Sequence, residues 1–147
     1  MNIDTKYHGV IEVEEEDFIY FENGIPGFLE EKHFILLPLE KESPFFIMQS
    51  KVTPELGFVV VNPFLFFNDY EFEISTNDKE ALSIFKEEDI EVLSILTIKD
   101  PFSETTANLQ APVIINHNKN LAKQIILHEN YKTKHKIFHN NILKEVK

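Results

Sequence analysis

Cysteine is absent from this 147-residue chain, which excludes disulfides, thiol nucleophiles and thiolate metal sites together. That absence fits a reducing compartment without requiring one. Arginine is absent too: all 14 basic residues are lysines, set against 25 Asp and Glu. Nucleic-acid binders depend on basic surface, and Arg supplies the two-pronged hydrogen bonds that grip phosphate and guanine. A net charge of −11 with no Arg therefore argues against direct DNA or RNA binding. Only four glycines are present, too few for a phosphate-cradling loop, and no G-x-S-x-G elbow, P-loop or G-x-G-x-x-G occurs. The most apolar stretch, 58–67, is too short to span a bilayer and carries Asn62 and Pro63 in its middle. Residues 1–6 show no basic segment leading into an apolar one, so no secretory signal is expected. The expectation is a soluble, cytoplasmic protein with no membrane contact.

What the chain does contain is apolar bulk and negative charge. At 43% hydrophobic residues, 14 of them Phe, it can bury a core without staples. No Gly/Ser/Pro-rich stretch divides it, so a single domain is expected over 1–130, followed by a Lys-rich tail over 131–147. That tail holds five Lys and one Glu; the nine Lys and 24 acids left in 1–130 give the body a net −15. Such a body is drawn electrostatically to a basic protein partner. The plainer reading is that the acids keep the protein soluble.

Short apolar runs punctuated by turns predict strands at 5–13, 18–21, 33–39, 45–50, 58–62, 90–98 and 113–116, the last forming a hairpin with 124–127. Residues 69–75 alternate cleanly, with Tyr70, Phe72 and Ile74 opposite Asp69, Glu71 and Glu73, which predicts a half-buried strand with an acidic outer face. Asn23-Gly24 and Pro26-Gly27 predict a double turn that presents Ile25 and Phe28. One short helix is expected over 79–86, with N-cap oxygens at 75–78 and Ala81, Leu82 and Phe85 on one face. The tail from 131 reads as a short amphipathic helix or as frayed. Some eight or nine strands with one helix make the chain mainly β, a small β-barrel-like domain, and closure would remove edges that a Phe-rich sheet otherwise exposes.

No catalytic constellation emerges, and the chain is not expected to be an enzyme or to hold a cofactor. His135 and His139 have the i,i+4 spacing of a metal pair but no carboxylate between them, so no metal site is assigned. The acidic runs 12–17 and 87–91 read as solvated faces, too crowded for acid/base tuning to be inferred. Recognition is the remaining signal. In 62–70, Phe64, Leu65, Phe66 and Phe67 cannot all face one side of a strand. Most belong in the core, but one or two should be exposed beside acids, where aromatics serve as binding anchors. The candidate partner-binding residues are Phe64, Phe66, Phe67, Asp69, Glu71 and Glu73, with Glu14, Glu15, Glu16 and Asp17 as a second group.

Several stretches, in order, resemble the flagellar assembly factor FliW family: 4–9 (DTKYHG), 23–28 (NGIPGF), 45–50 (FFIMQS), 54–56 (PEL), Asn62-Pro63, 70–72 (YEF), 96–98 (LTI), 105–112 (TTANLQAP), Asn116 and 122–124 (AKQ). Each motif is weak; the ordered set, from residue 4 to about 127, is specific. The tail after Tyr131 matches less well, and no function is carried onto it. The resemblance implies a β-barrel-like protein that binds unexported flagellin and CsrA in turn. CsrA is the small dimeric RNA-binding protein that represses flagellin translation. Held by such a protein, CsrA cannot block the flagellin message; accumulating flagellin displaces it by mass action. A flagellin-dedicated chaperone without CsrA control, or a small-molecule-binding barrel using the Phe-rich interior, would carry the same residues.

Overall fold

Seven of the short apolar runs close on one another. The computed structural model describes residues 1–128 and 131–138. Its strands are β1 (Asn2–Asp4), β2 (Val10–Glu12), β3 (Ile19–Phe21), β4 (His33–Pro38), β5 (Phe46–Ser50), β6 (Gly57–Val61), β7 (Ile90–Thr97), β8 (Thr106–Ala107), β9 (Val113–Asn116), β10 (Leu121–Gln124) and β11 (His135–Lys136), with one α-helix, α1 (Thr76–Ala81). Strands β3-β4-β5-β6-β7-β9-β10 form a closed barrel. Its seam is the parallel pair β3–β10, with Leu121 opposite Tyr20 and Ala122 opposite Phe21; the other barrel pairings are antiparallel.

Alternation along each strand decides which side chains enter the barrel. Ile19, Phe21, Phe34, Met48, Val60, Leu93, Val113, Ile115 and Ala122 pack together inside, with Ile25 joining them. Strands β6, β7 and β9 are apolar on their outer faces as well, at Val61, Leu96 and Ile114. This explains their near-continuous apolar runs: both faces are covered. The outer cover is built from non-barrel segments that supply Tyr70, Leu82, Ile84, Leu109 and Ile137. On the opposite flank the β1–β2 hairpin lays Ile3 and Val13 over Phe18 and Ile35.

Several local expectations are corrected. Residues 69–75 keep their alternating exposure but form no strand. The strand it covers, β7, already pairs with β6, β8 and β9, so this segment lies across the sheet on its side chains instead. The helix forms earlier than expected, at Thr76–Ala81, because the Ser75 hydroxyl accepts from Asp78 N–H at 3.1 Å. It stops where Ser83 takes φ +54° and the buried Asn116 amide donates to the Leu82 and Ser83 carbonyls. Leu82 and Phe85 consequently do not share a face. The second hairpin strand is Leu121–Gln124 rather than 124–127, because Asn116 Oδ1 accepts from the Asn118 and Lys119 N–H groups and tightens the turn. Ile25 points into the core while Phe28 is exposed, so the double turn presents only one of the pair. The first part of the Lys-rich segment is neither helical nor frayed: β11 pairs with β8, and Ile137 is fully buried. Ile142, Leu143 and His139 lie outside the described residues.

Candidate partner-binding groove

Tyr70 organises the site. It is buried, its hydroxyl donates to the Leu109 carbonyl at 2.7 Å, and its ring meets Phe64, Phe72 and Tyr131 at centroid distances of 5.6, 5.2 and 4.7 Å. The Tyr131 hydroxyl accepts from Glu71 N–H and donates to the Glu71 carbonyl, which holds the strand-less segment in place. Alternation in that segment turns Phe72 and Ile74 toward the barrel and leaves Glu71 and Glu73 in solvent.

A groove of about 670 Å³ results. Phe64, Phe72 and Ile74 form its floor with Ile90 and Val92 of β7, and Glu71, Glu73, Glu87 and Lys79 stand around it. Tyr70 also lines a second hollow, of about 250 Å³, with Phe67, Asp69, Leu109, Tyr131 and His135. The structure therefore joins Phe64, Glu71 and Glu73 in one groove and places Phe67 and Asp69 in the neighbouring hollow. Phe66 lies in neither lining. Half-buried, it packs between Phe45 and Phe138 at 6.1 and 6.2 Å as part of the outer core.

Glu14, Glu15, Glu16 and Asp17 sit on a turn of 3-10 helix ahead of β3, all exposed, with Glu15 paired to Lys51 at 2.6 Å. The strand directions put this turn, the end of β6, the start of β7 and the β9–β10 turn at the same end of the barrel. Side-chain bonds tie them together. Asn120 donates to the Glu16 carbonyl at 2.8 Å, and Asn118 donates to Asp89 at 2.6 Å. The two acidic groups are thus tethered to one turn, and Glu87 carries the negative surface on to the groove.

Sequence reasoning missed Ile90, Val92 and Glu87 as groove residues and Phe85 as an exposed one. The strand 90–97 was legible, but which of its faces would be covered depends on a segment twenty residues upstream. Among the described residues, no three His, Asp or Glu side chains are grouped to hold a metal ion. His135 lies in a strand, with Nε2 accepting from Lys132 N–H at 2.8 Å. Burial first, and the Lys132 charge second, hold its pKa below the usual histidine value. Among the described residues no helix is long and apolar enough to cross a membrane.

Residues 2–137 match the family model described as FliW protein. The chain is 55% identical over 145 residues to the flagellar assembly factor FliW of Geobacillus sp. strain WCH70, covering 98% of this chain and all of that one. It is 51% identical over 138 residues to the flagellar assembly factor FliW of Bacillus subtilis strain 168, covering 93% of this chain and 96% of that one. A crystal structure of the flagellar assembly factor FliW superposes with a TM-score of 0.88 at 54% identity, over 95% of this chain and 98% of that one. Fold, length and sequence agree along the described chain: this protein belongs to the FliW family of flagellar assembly factors.

Proposed function

We propose that this protein binds unexported flagellin and CsrA in alternation in the cytoplasm, relieving CsrA repression of the flagellin message without any bond-making chemistry. The observation that carries this reading is one groove with an apolar floor and an acidic rim. Phe64, Phe72, Ile74, Ile90 and Val92 offer a bed for the apolar face of a flagellin terminal segment that is unfolded before assembly. Glu71, Glu73 and Glu87 attract a basic, RNA-holding surface and repel RNA from it. Screening limits that repulsion to about 8 Å at physiological salt, so the acids act only on RNA that passes close to the docked face. Sharing one groove makes the two partners competitors, and excess of either depletes the other's share.

The test is Glu71→Lys with Glu73→Lys, assayed against CsrA and against flagellin over a salt series. Weaker CsrA binding with a flatter salt dependence is the expected result; unchanged CsrA affinity at low salt removes these residues from the interface. Retention of flagellin would show two separable surfaces, and loss of both a shared one. A chaperone acting on flagellin alone differs in one observable: CsrA would not be retained from native cytosol. The small-molecule reading has little support, because the barrel interior is filled by Phe21, Phe34, Met48 and Val60.

A further inference from the structure

Phe85 is the most exposed large apolar side chain among the described residues, at 87% of its full accessibility. An isolated exposed Leu or Val is ordinary, but this Phe is displayed by a turn that the fold takes trouble to fix. On its N-terminal side Leu82 and Ile84 are both buried and act as two pegs. Between them Ser83 adopts the left-handed conformation, at φ +54°, a region that non-glycine residues avoid. The side-chain amide of Asn116, itself buried, donates to both the Leu82 and the Ser83 carbonyls, at 2.8 and 3.1 Å. Ile84 N–H donates to the Lys79 carbonyl at 2.9 Å, which sets the turn against the rim of the groove. On the C-terminal side Glu87, the next groove residue, is two positions away.

A pinned backbone beneath an exposed aromatic suits a binding anchor, because the preceding backbone is ordered before the partner arrives and only the side chain's rotamers remain to be fixed. The flanking sequence carries a net negative charge, which favours a cationic partner. Residues 76–91 hold six acids and two lysines, and one of the acids, Asp78, is already paired with Lys123. An apolar socket ringed by acids would be repelled here; one ringed by Lys or Arg would be steered in.

We infer that Phe85 is a preorganised aromatic anchor that inserts into an apolar socket bordered by basic side chains on the cationic protein partner. The inference rests on the functional reading above, in which CsrA is that partner, and CsrA is the probe. Phe85→Ala removes almost no intramolecular packing, so the melting temperature is expected to stay within a degree or two of the parent. Affinity for CsrA, read by calorimetry, is expected to fall tenfold or more, the usual loss for a truncated aromatic anchor. Phe85→Leu is expected to bind more tightly than Phe85→Ala, since it keeps much of the apolar contact without overfilling the socket.

Alanine binding within twofold of the parent, while the parent itself binds CsrA, would overturn the anchor and leave the functional reading standing. A parent protein that ignores CsrA would overturn both. Phe85→Leu binding no better than Phe85→Ala would also overturn it, because an apolar socket that takes Phe has room for the smaller side chain.

Discussion

Tyr70 illustrates how much a single side chain decides. Its hydroxyl is buried and bonded to the Leu109 carbonyl, so Tyr70→Phe leaves that acceptor unpaired and should cost about 1–3 kcal/mol in urea unfolding. Gly24 is held more tightly still. It sits at φ +69°, and a Cβ there would lie 2.3 Å from the Leu29 carbonyl oxygen. Gly24→Ala should therefore cost more than the roughly 1–2 kcal/mol of left-handed strain alone, and the variant should melt well below the parent. His135 is the residue with a pH signature. Its neutral ring nitrogen accepts a backbone N–H, and burial opposes the charged form, so the folded state binds its proton less readily than the unfolded chain. Stability from this group is complete above the ordinary histidine value and declines as pH falls through the lower folded one. Urea midpoints measured downward from neutral pH should drop less steeply for His135→Gln than for the parent, after allowance for any offset at neutral pH.

At the level of elements, the loops of this barrel are pinned by buried polar side chains. Gln49, fully buried on β5, donates to the carbonyls of Ser50, Pro54 and Leu56 and accepts from Lys6 N–H. It binds the 51–56 loop to the β1–β2 hairpin. Gln49→Leu should leave several backbone groups unpaired, and hydrogen exchange in 51–56 should speed up by more than tenfold while the core of β6 and β7 remains protected. Asn116 has the same office for the turn that displays Phe85. The apolar period of β3 to β7 and β9 was legible because strand alternation is a local property. Residues 69–75 carried the same period yet form no strand, since they lie over the outer face of β7, whose edges are already taken by β6, β8 and β9. Helix α1 was legible in kind from its cap oxygens, but its end was set by Asn116, thirty-five residues beyond the helix.

For the whole molecule, charge is the property that acts at a distance. Acids in the 14–17 turn, in 87–89 and around the groove converge toward one end of the barrel, so association with a cationic partner should slow markedly between low and physiological salt. Stopped-flow rates over a salt series would show this; a flat dependence would mean that the acids serve solubility alone. The chain by itself determined a β-rich, acidic, Arg-free protein of FliW resemblance, because composition, turn chemistry and strand period are written residue by residue. Which aromatics line the groove, which are packed away like Phe66, and which stand exposed like Phe85 were decided by tertiary structure. A side chain's exposure depends on what the distant chain lays over it, and that covering is fixed only when the barrel closes.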